Sequence, residues 1–212
     1  MLTREEEVLV QQLCFQKLHM QYRGALREIE TKLKVINDEL TLTTSHANPI
    51  EYIKTRLKSP ESIIQKMHHR DIPISLTNMQ EEITDIAGAR VVCSFNEDIY
   101  LIARTIAKQE DIRVITVKDY MKEPKENGYR SYHMIVELPI FLSEGKIMRP
   151  VEIQLRTIAM EFWASLEHKL KYKQEIKNSA YIISELKKCA DAISNLDQDM
   201  QEIRNLIESE GK

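Results

Sequence analysis

The stretch VEIQLRT, residues 151 to 157, alternates without a break. Val151, Ile153 and Leu155 fall on one face of an extended chain, and Glu152, Gln154 and Arg156 on the other. A strand of this kind must sit in a sheet whose first face is packed. Its second face, carrying acid, amide and base, either lines a polar cleft or is an ordinary exposed sheet face. Val- and Ile-rich segments at 90–95, 113–118 and 131–138 supply candidate partner strands. A helix is predicted over 97–109 between the first two, and another over 157–172 after the last. Asn48-Pro49 reads as an N-cap and first-turn pair, which predicts a helix through about 57. Ser59-Pro60 repeats the signal and predicts a second helix through about 69. Strands mixed with helices, some joined by short links, make this an α+β chain with helices packed on a mixed sheet.

Long helical segments flank this middle. From 3 to 40 there is no proline and one glycine, and Phe15, Leu18, Tyr22, Ala25, Ile29 and Ile36 form a stripe of three-four spacing. Near the C-terminus Ile182, Leu186, Cys189, Ile193, Leu196, Met200, Ile203 and Ile207 step alternately by four and three, an apolar heptad seam. Each helix either covers the central domain or also meets another subunit. The 212 residues fit one domain, divided as an N-terminal helical region 1–45, a core 46–175 and a C-terminal helix 176–212.

The net charge of −3 removes the basic face that broad nucleic-acid binding requires, so neither DNA nor RNA is an expected partner. A locally basic cleft remains compatible with it. Cys14, Cys93 and Cys189 are too far apart to draw a zinc site or disulfide framework. The opening MLTREEEVLV has no basic segment followed by an apolar run, and no apolar stretch approaches membrane-spanning length. A cytoplasmic location without membrane attachment is therefore expected.

Three clusters carry chemistry. In TDIAGARVVCSF, Asp85 precedes the small residues Ala87, Gly88 and Ala89, which let another group approach the backbone. Asp85 and Glu152, from neighbouring strands, are a minimal protein ligand set for Mg2+, which completes its octahedron with water and phosphate oxygens. In KTRLKSPESIIQKMHHR, five cations (Lys54, Arg56, Lys58, Lys66 and Arg70) face one acid, Glu61, around a helix N-terminus. That is an anion site, suited to a triphosphate, or a solvated basic helix face. In KENGYRSYH, the Asn127-Gly128 turn is preceded by Lys118, Lys122 and Lys125 and followed by Tyr129, Arg130, Tyr132 and His133. Its tyrosines either offer a ring to a nucleobase or pack on the sheet.

RLKSPESI, DIAGARV, KDYMKEPKENGYRSYH and VEIQLRTIAMEFWASLEHKLKYK, in that order, resemble the synthetase domain of the RelA/SpoT homologue family. Within it the chain is similar to the small alarmone synthetases, and its spelling to their RelP-like type, over about 48–172. The resemblance implies a nucleotidyltransferase-like fold and a reaction. These enzymes transfer pyrophosphate from ATP to the 3′-hydroxyl of GDP or GTP, releasing AMP and making ppGpp or pppGpp, the alarmones of the stringent response. It further implies Asp85 as a Mg2+ ligand and Glu152 as the second acid, which activates the hydroxyl. Arg56 and Arg90 would hold adenine, and Lys58, Ser62 and Lys66 would face the ATP phosphates. Tyr129 would stack on guanine, with Lys118, Lys125, Arg130 and His133 around the acceptor. Lys118 stands where a related type has arginine. Glu161 stands where some relatives have asparagine, and is read as a guanine contact or a solvated helix residue. A homotetramer is implied, and no hydrolase or C-terminal regulatory segment is seen. The competing classes are a nucleotidyltransferase releasing pyrophosphate, whose paired-acid motif is absent, and a non-catalytic helical assembly protein.

Overall fold

A computed structural model describes residues 4–43, 48–171 and 179–210. The expected boundaries at 45/46 and 175/176, and the helix limits at 3 and 172, lie outside the described residues. Five strands form one mixed sheet: β1 (Ile50–Leu57), β2 (Ala87–Cys93), β3 (Arg113–Asp119), β4 (Tyr132–Leu142) and β5 (Gly145–Thr157). Their spatial order is β1-β2-β5-β4-β3. Only the β2–β5 pairing is parallel, and it places Gly88 beside Glu152 and Arg90 beside Gln154. The helices are α1 (Arg4–Thr43), α2 (Pro60–His69), α3 (Leu76–Glu82), α4 (Asn96–Ala107), α5 (Ile158–Lys171) and α6 (Ser179–Glu210).

One sheet face is the core. Ala89, Val91, Met134, Val136, Val151, Ile153 and Leu155 are buried there against Leu18, Tyr22, Ala25, Ile29, Leu33 and Ile36 of α1 and Ile99, Ile102 and Ile106 of α4. The predicted α1 stripe is thus its docking face, and the alternation of 151–157 is the boundary between core and cleft. The α2 start matches expectation, with Ser59 Oγ accepting from the Ser62 amide.

The helix expected over 48–57 is a strand, β1. Asn48 does not cap a helix: its Oδ1 accepts from Thr41 Oγ1, and its carbonyl from Ser94 Oγ. The segment IEYIKTRL carries β-branched Ile50, Ile53 and Thr55, and pairs antiparallel with β2 from Ile50–Cys93 to Leu57–Ala87. Tertiary pairing outweighs the local signal, and the result matters for function. In a strand Lys54 and Arg56 stand on the same sheet face as their neighbours Arg90 and Gly88. Helix α3, capped by Ser75 Oγ on the Asn78 amide, has too short an apolar pattern to be read in advance. Strands β4 and β5 run further than expected and meet in a hairpin between Leu142 and Gly145.

Candidate active site

The second sheet face carries Lys54 and Arg56 from β1, Gly88 and Arg90 from β2, Glu152, Gln154 and Arg156 from β5, and His133 from β4, which pairs with Gln154. Together with Lys58, Asp85, Tyr129 and α5 residues, all of these but His133 line a cleft of about 580 Å³. A Cβ built on Gly88 would meet no atom closer than 3.8 Å. Packing does not demand a glycine there; the space above it is the cleft.

At one end lies a compact charge cluster. Lys58 Nζ and Lys66 Nζ both reach Asp85 Oδ2, at 2.6 and 2.7 Å. Burial pushes the Asp85 carboxyl up, but the hydrogen bonds and charges of the two lysines outweigh it and hold it below the usual carboxylate range. Burial also lowers Lys66, against the pull of Asp85. Asp85 Oδ1 is buried with no hydrogen-bond partner. A buried anionic oxygen without a donor is what a cation ligand would be, and the Asp85 charge also reaches Glu152. Among the described residues no group of three or more His, Cys, Asp or Glu could hold a metal. The two carboxylates fit a cation that takes its remaining ligands from water and phosphate, as Mg2+ does. Arg56 stands diagonally across from Arg90 on adjacent strands, a spacing within reach of long side chains. Ser62 sits on the first turn of α2, its hydroxyl accepting from Ser59 Oγ.

At the other end is the loop before β4. Gly128 has φ +86°, its amide bonds the Lys125 carbonyl at 2.8 Å, and the Tyr129 amide bonds Asn127 Oδ1. The turn aims Tyr129 into the cleft, with Lys125 Nζ 5.0 Å from its ring centroid. Tyr129 Oη lies 2.8 Å from His133 Nε2, and His133 Nδ1 lies 3.3 Å from Glu152 Oε1. Arg156 donates to the same phenol oxygen at 2.6 Å. That leaves the phenol hydrogen for Nε2, so a neutral imidazole carries its own hydrogen on Nδ1, facing Glu152. Burial pushes the Glu152 carboxyl up, yet His133 and Gln154, whose Nε2 donates at 3.0 Å, hold it below its ordinary value.

A third group joins the two ends. Glu161, buried on α5, accepts from Arg90 at 2.9 Å and Ser165 at 3.1 Å through Oε1, and from Arg156 at 2.6 Å through Oε2. It does not line the cleft. Its carboxylate is held by Arg90 of β2 as well as by Arg156 of β5. Arg130 also turns away: its guanidinium bonds the Met121 carbonyl and Asp191 of α6. Lys118 is exposed on edge strand β3, opposite His133. Lys125 lies over Tyr120 as well as Tyr129.

Gln154 and Arg156 line the cleft although the candidate set from sequence left them out; the alternation of VEIQLRT had already placed them on the face of Glu152. Ser165 and Lys169 line it too. They follow Glu161 at helical i, i+4 steps, a signal readable on α5 once one of the three is suspected.

A family model described as the region found in RelA/SpoT proteins matches residues 55–177. The chain belongs to the RelA/SpoT family. It is 43% identical over 187 residues to the GTP pyrophosphokinase YwaC of Bacillus subtilis, covering 88% of this chain and 89% of that one. Among solved structures it is similar to small alarmone synthetase 1 of Bacillus subtilis bound to its product pppGpp. That match has a TM-score of 0.81 and 36% identity, over 91% of this chain and 97% of that one. Small alarmone synthetase 2 of the same organism matches with a TM-score of 0.79 and 40% identity, over 90% and 98%. The RelA/SpoT match spans the basic helix, the Asp85 turn, the Glu152 strand and the tyrosine loop, so every cleft-lining residue but Lys54 lies within the family region.

Proposed function

We propose that this RelA/SpoT-family chain is an alarmone synthetase, a GTP pyrophosphokinase that moves the terminal pyrophosphate of ATP to the 3′-hydroxyl of GDP or GTP and releases AMP. One observation carries the reading. A carboxylate held by two lysines and a carboxylate hydrogen-bonded to a His–Tyr pair face one cleft, so a phosphate-binding end and a base-binding end meet at Glu152. The GTP pyrophosphokinase YwaC and the pppGpp-bound synthetase support it.

In this scheme Arg56 and Arg90 grip adenine between their guanidinium planes, and Lys58, Lys66 and Ser62 take phosphate oxygens. Tyr129 carries guanine, while Lys125 and Lys118 face the acceptor phosphates. His133 orients Glu152, and Arg130 fixes the loop against α6. Asp85 and Glu152 would hold Mg2+, which neutralises charge on the transferring phosphates. The ribose 3′-oxygen attacks the β-phosphorus of ATP as the bond from that phosphorus to the α-bridging oxygen breaks. The hydroxyl proton passes to Glu152, and the leaving oxygen departs with AMP. We assign Glu161 an indirect part in guanine recognition, through Arg156 and Tyr129. The exposed Leu196, Met200, Ile203 and Ile207 of α6 support assembly into a homotetramer. Among the described residues no helix is long and apolar enough to cross a membrane, which supports a cytoplasmic enzyme.

Incubation with ATP, GDP and Mg2+ tests the reading. AMP and a tetraphosphorylated guanosine are expected, without later degradation of that product. Release of inorganic pyrophosphate would instead point to a nucleotidyltransferase. Glu152→Gln is expected to cut turnover by roughly 10³-fold or more while binding of a non-hydrolysable ATP analogue survives. Full turnover by that variant would overturn the role of Glu152.

A further inference from the structure

Six side chains form one continuous polar chain along and beneath the cleft floor. Glu152 meets His133 at 3.3 Å, His133 meets Tyr129 at 2.8 Å, and Tyr129 meets Arg156 at 2.6 Å. Arg156 meets Glu161 at 2.6 Å, and Glu161 meets Arg90 at 2.9 Å. The middle of this chain is its least accessible part. The Arg156 side chain is 6% exposed and that of Glu161 12%, whereas the Arg90 side chain at one end is 35% exposed. Arg156 reaches both directions with the two terminal nitrogens of one planar group, and its guanidinium carbon lies 5.1 Å from the Tyr129 ring centroid. A rigid fork holding two charge-assisted bonds in a buried setting transmits displacement, since neither bond can be exchanged for water without loss.

We propose that Arg156, acting with Glu161, is a positioning residue that couples the two nucleotide subsites, so that binding of either nucleotide tightens binding of the other. The proposal rests on the function assigned above and deepens it. A nucleotide that engages Arg90 fixes Glu161, which fixes Arg156 and hence the ring and hydroxyl of Tyr129. The second nucleotide then meets a platform already ordered. By linkage the effect is reciprocal and of equal size in both directions. At its far end the same chain sets the hydrogen of His133 toward Glu152, so engagement of both ends stiffens the hold on the catalytic carboxylate.

The test is calorimetric titration of the full chain with a non-hydrolysable ATP analogue and with GDP, each alone and in the presence of the other, with Mg2+ throughout. Wild type should show a coupling factor of about 5-fold or more, the same in both orders of addition. Arg156→Lys, which keeps the charge but loses the fork, and Glu161→Gln, which keeps the shape but loses both ion pairs, should bring the factor close to one. Each binary affinity should stay within about threefold, and kcat should fall more than either KM rises. A merely structural role would lower melting temperature and leave the coupling factor alone. Three results overturn the proposal: no coupling in wild type, coupling intact in both variants, or loss of one binary affinity outright in Arg156→Lys, which would make Arg156 a direct ligand contact. Absence of any nucleotide binding by wild type would remove the functional assignment itself. Binding and turnover without coupling would remove only the role of Arg156.

Discussion

Helix α1 turns Leu18, Tyr22, Ala25, Ile29, Leu33 and Ile36 into the core, all nearly inaccessible, with Gln21 the buried polar residue beside them. Helix α6 does the reverse over its second half. There it buries Asp197 and Gln201 and exposes Leu196, Met200, Ile203, Leu206 and Ile207. Its first half packs Ala190, Leu186 and Ile193 against Trp163 and Ala164 of α5, and a series of specific polar contacts attaches it along its length. Trp163 Nε1 donates to the Leu186 carbonyl, Arg130 to Asp191, Thr157 Oγ1 to Asp197, the Glu97 amide to Gln201 and Arg204 to Asp98. Apolar docking is non-directional and tolerates small shifts. Polar docking fixes register, and α6 backs the loop and the turn that flank the cleft: Ala190 abuts Gly128, next to Tyr129, and Thr157, bonded to Asp197, begins the turn into α5, with its Oγ1 capping the Met160 amide. The second half of α6 is thus held by directional bonds, and the apolar seam there is left for another surface.

The difference is broken most severely on the apolar side. Leu33→Ala empties a fully buried position and is expected to cost about 3–4 kcal/mol, a drop of roughly 10 °C in melting temperature for a chain of this length. No second polar substitution should recover it. On the α6 side, Arg204→Met should cost about 3 kcal/mol, because the Asp98 carboxylate, 3% exposed, loses its Arg204 cation along with the guanidinium stacked on Phe95. Here a partner change does help. Adding Asp98→Asn should recover a good part of the loss, as urea denaturation of the double-mutant cycle would show. Additive losses in that cycle would mean that the pair does not hold α6.

The same contrast explains how much could be read from sequence. The α1 stripe, the two-faced strand 151–157, the Ser59 cap and the Gly128 turn are local patterns whose residues make their own case, and the structure repeats them. The α6 seam is equally regular, and in its first half Leu186 and Ile193 do dock, on Trp163; over the second half the docking face lies one position along, with Asp197 beside Leu196, Gln201 beside Met200 and Arg204 beside Ile203. Periodicity finds the apolar stripe and cannot say that polar residues dock. Strand β1 was illegible because the Asn48-Pro49 helix signal is real locally, while its pairing with residues 87–93 is decided by partners far along the chain. Arg156 was legible as a cleft-facing residue but not as a junction, since that depends on Tyr129 from a different loop reaching it.

The contact at Gly128 sharpens the comparison where α6 meets the loop. A Cβ there would stand 2.5 Å from the Ala190 Cβ and 3.1 Å from the Lys187 Cα, at a φ that side chains rarely adopt. Gly128→Ala should therefore cost about 2 kcal/mol from strain and overlap together. Its guanine affinity should suffer more than its affinity for an ATP analogue, since Tyr129 is the next residue. Ala190→Gly in the same chain removes the overlap with the methyl and leaves the strained φ. Partial recovery of stability is the expected result; none would mean that the dihedral, and not the helix, limits this turn.

The smallest effect concerns the buried acid of α6. Burial pushes the Asp197 carboxyl above its ordinary value, and the Thr157 hydrogen bond offsets only part of that. A carboxyl raised in the folded state contributes stability below its unfolded pKa of about 3.9, and that contribution is lost as pH rises through the folded value. At neutral pH the charged Asp197 consequently weighs against the fold. Asp197→Asn keeps an acceptor for Thr157 Oγ1 and removes the charge. Its melting temperature should exceed that of wild type by about 1–2 °C at pH 7, with the gap closing as pH falls toward 4. A variant less stable at pH 7 would show that the ionised carboxylate strengthens the Thr157 bond by more than its burial costs, and polar docking of α6 would then rest on charge as well as on geometry.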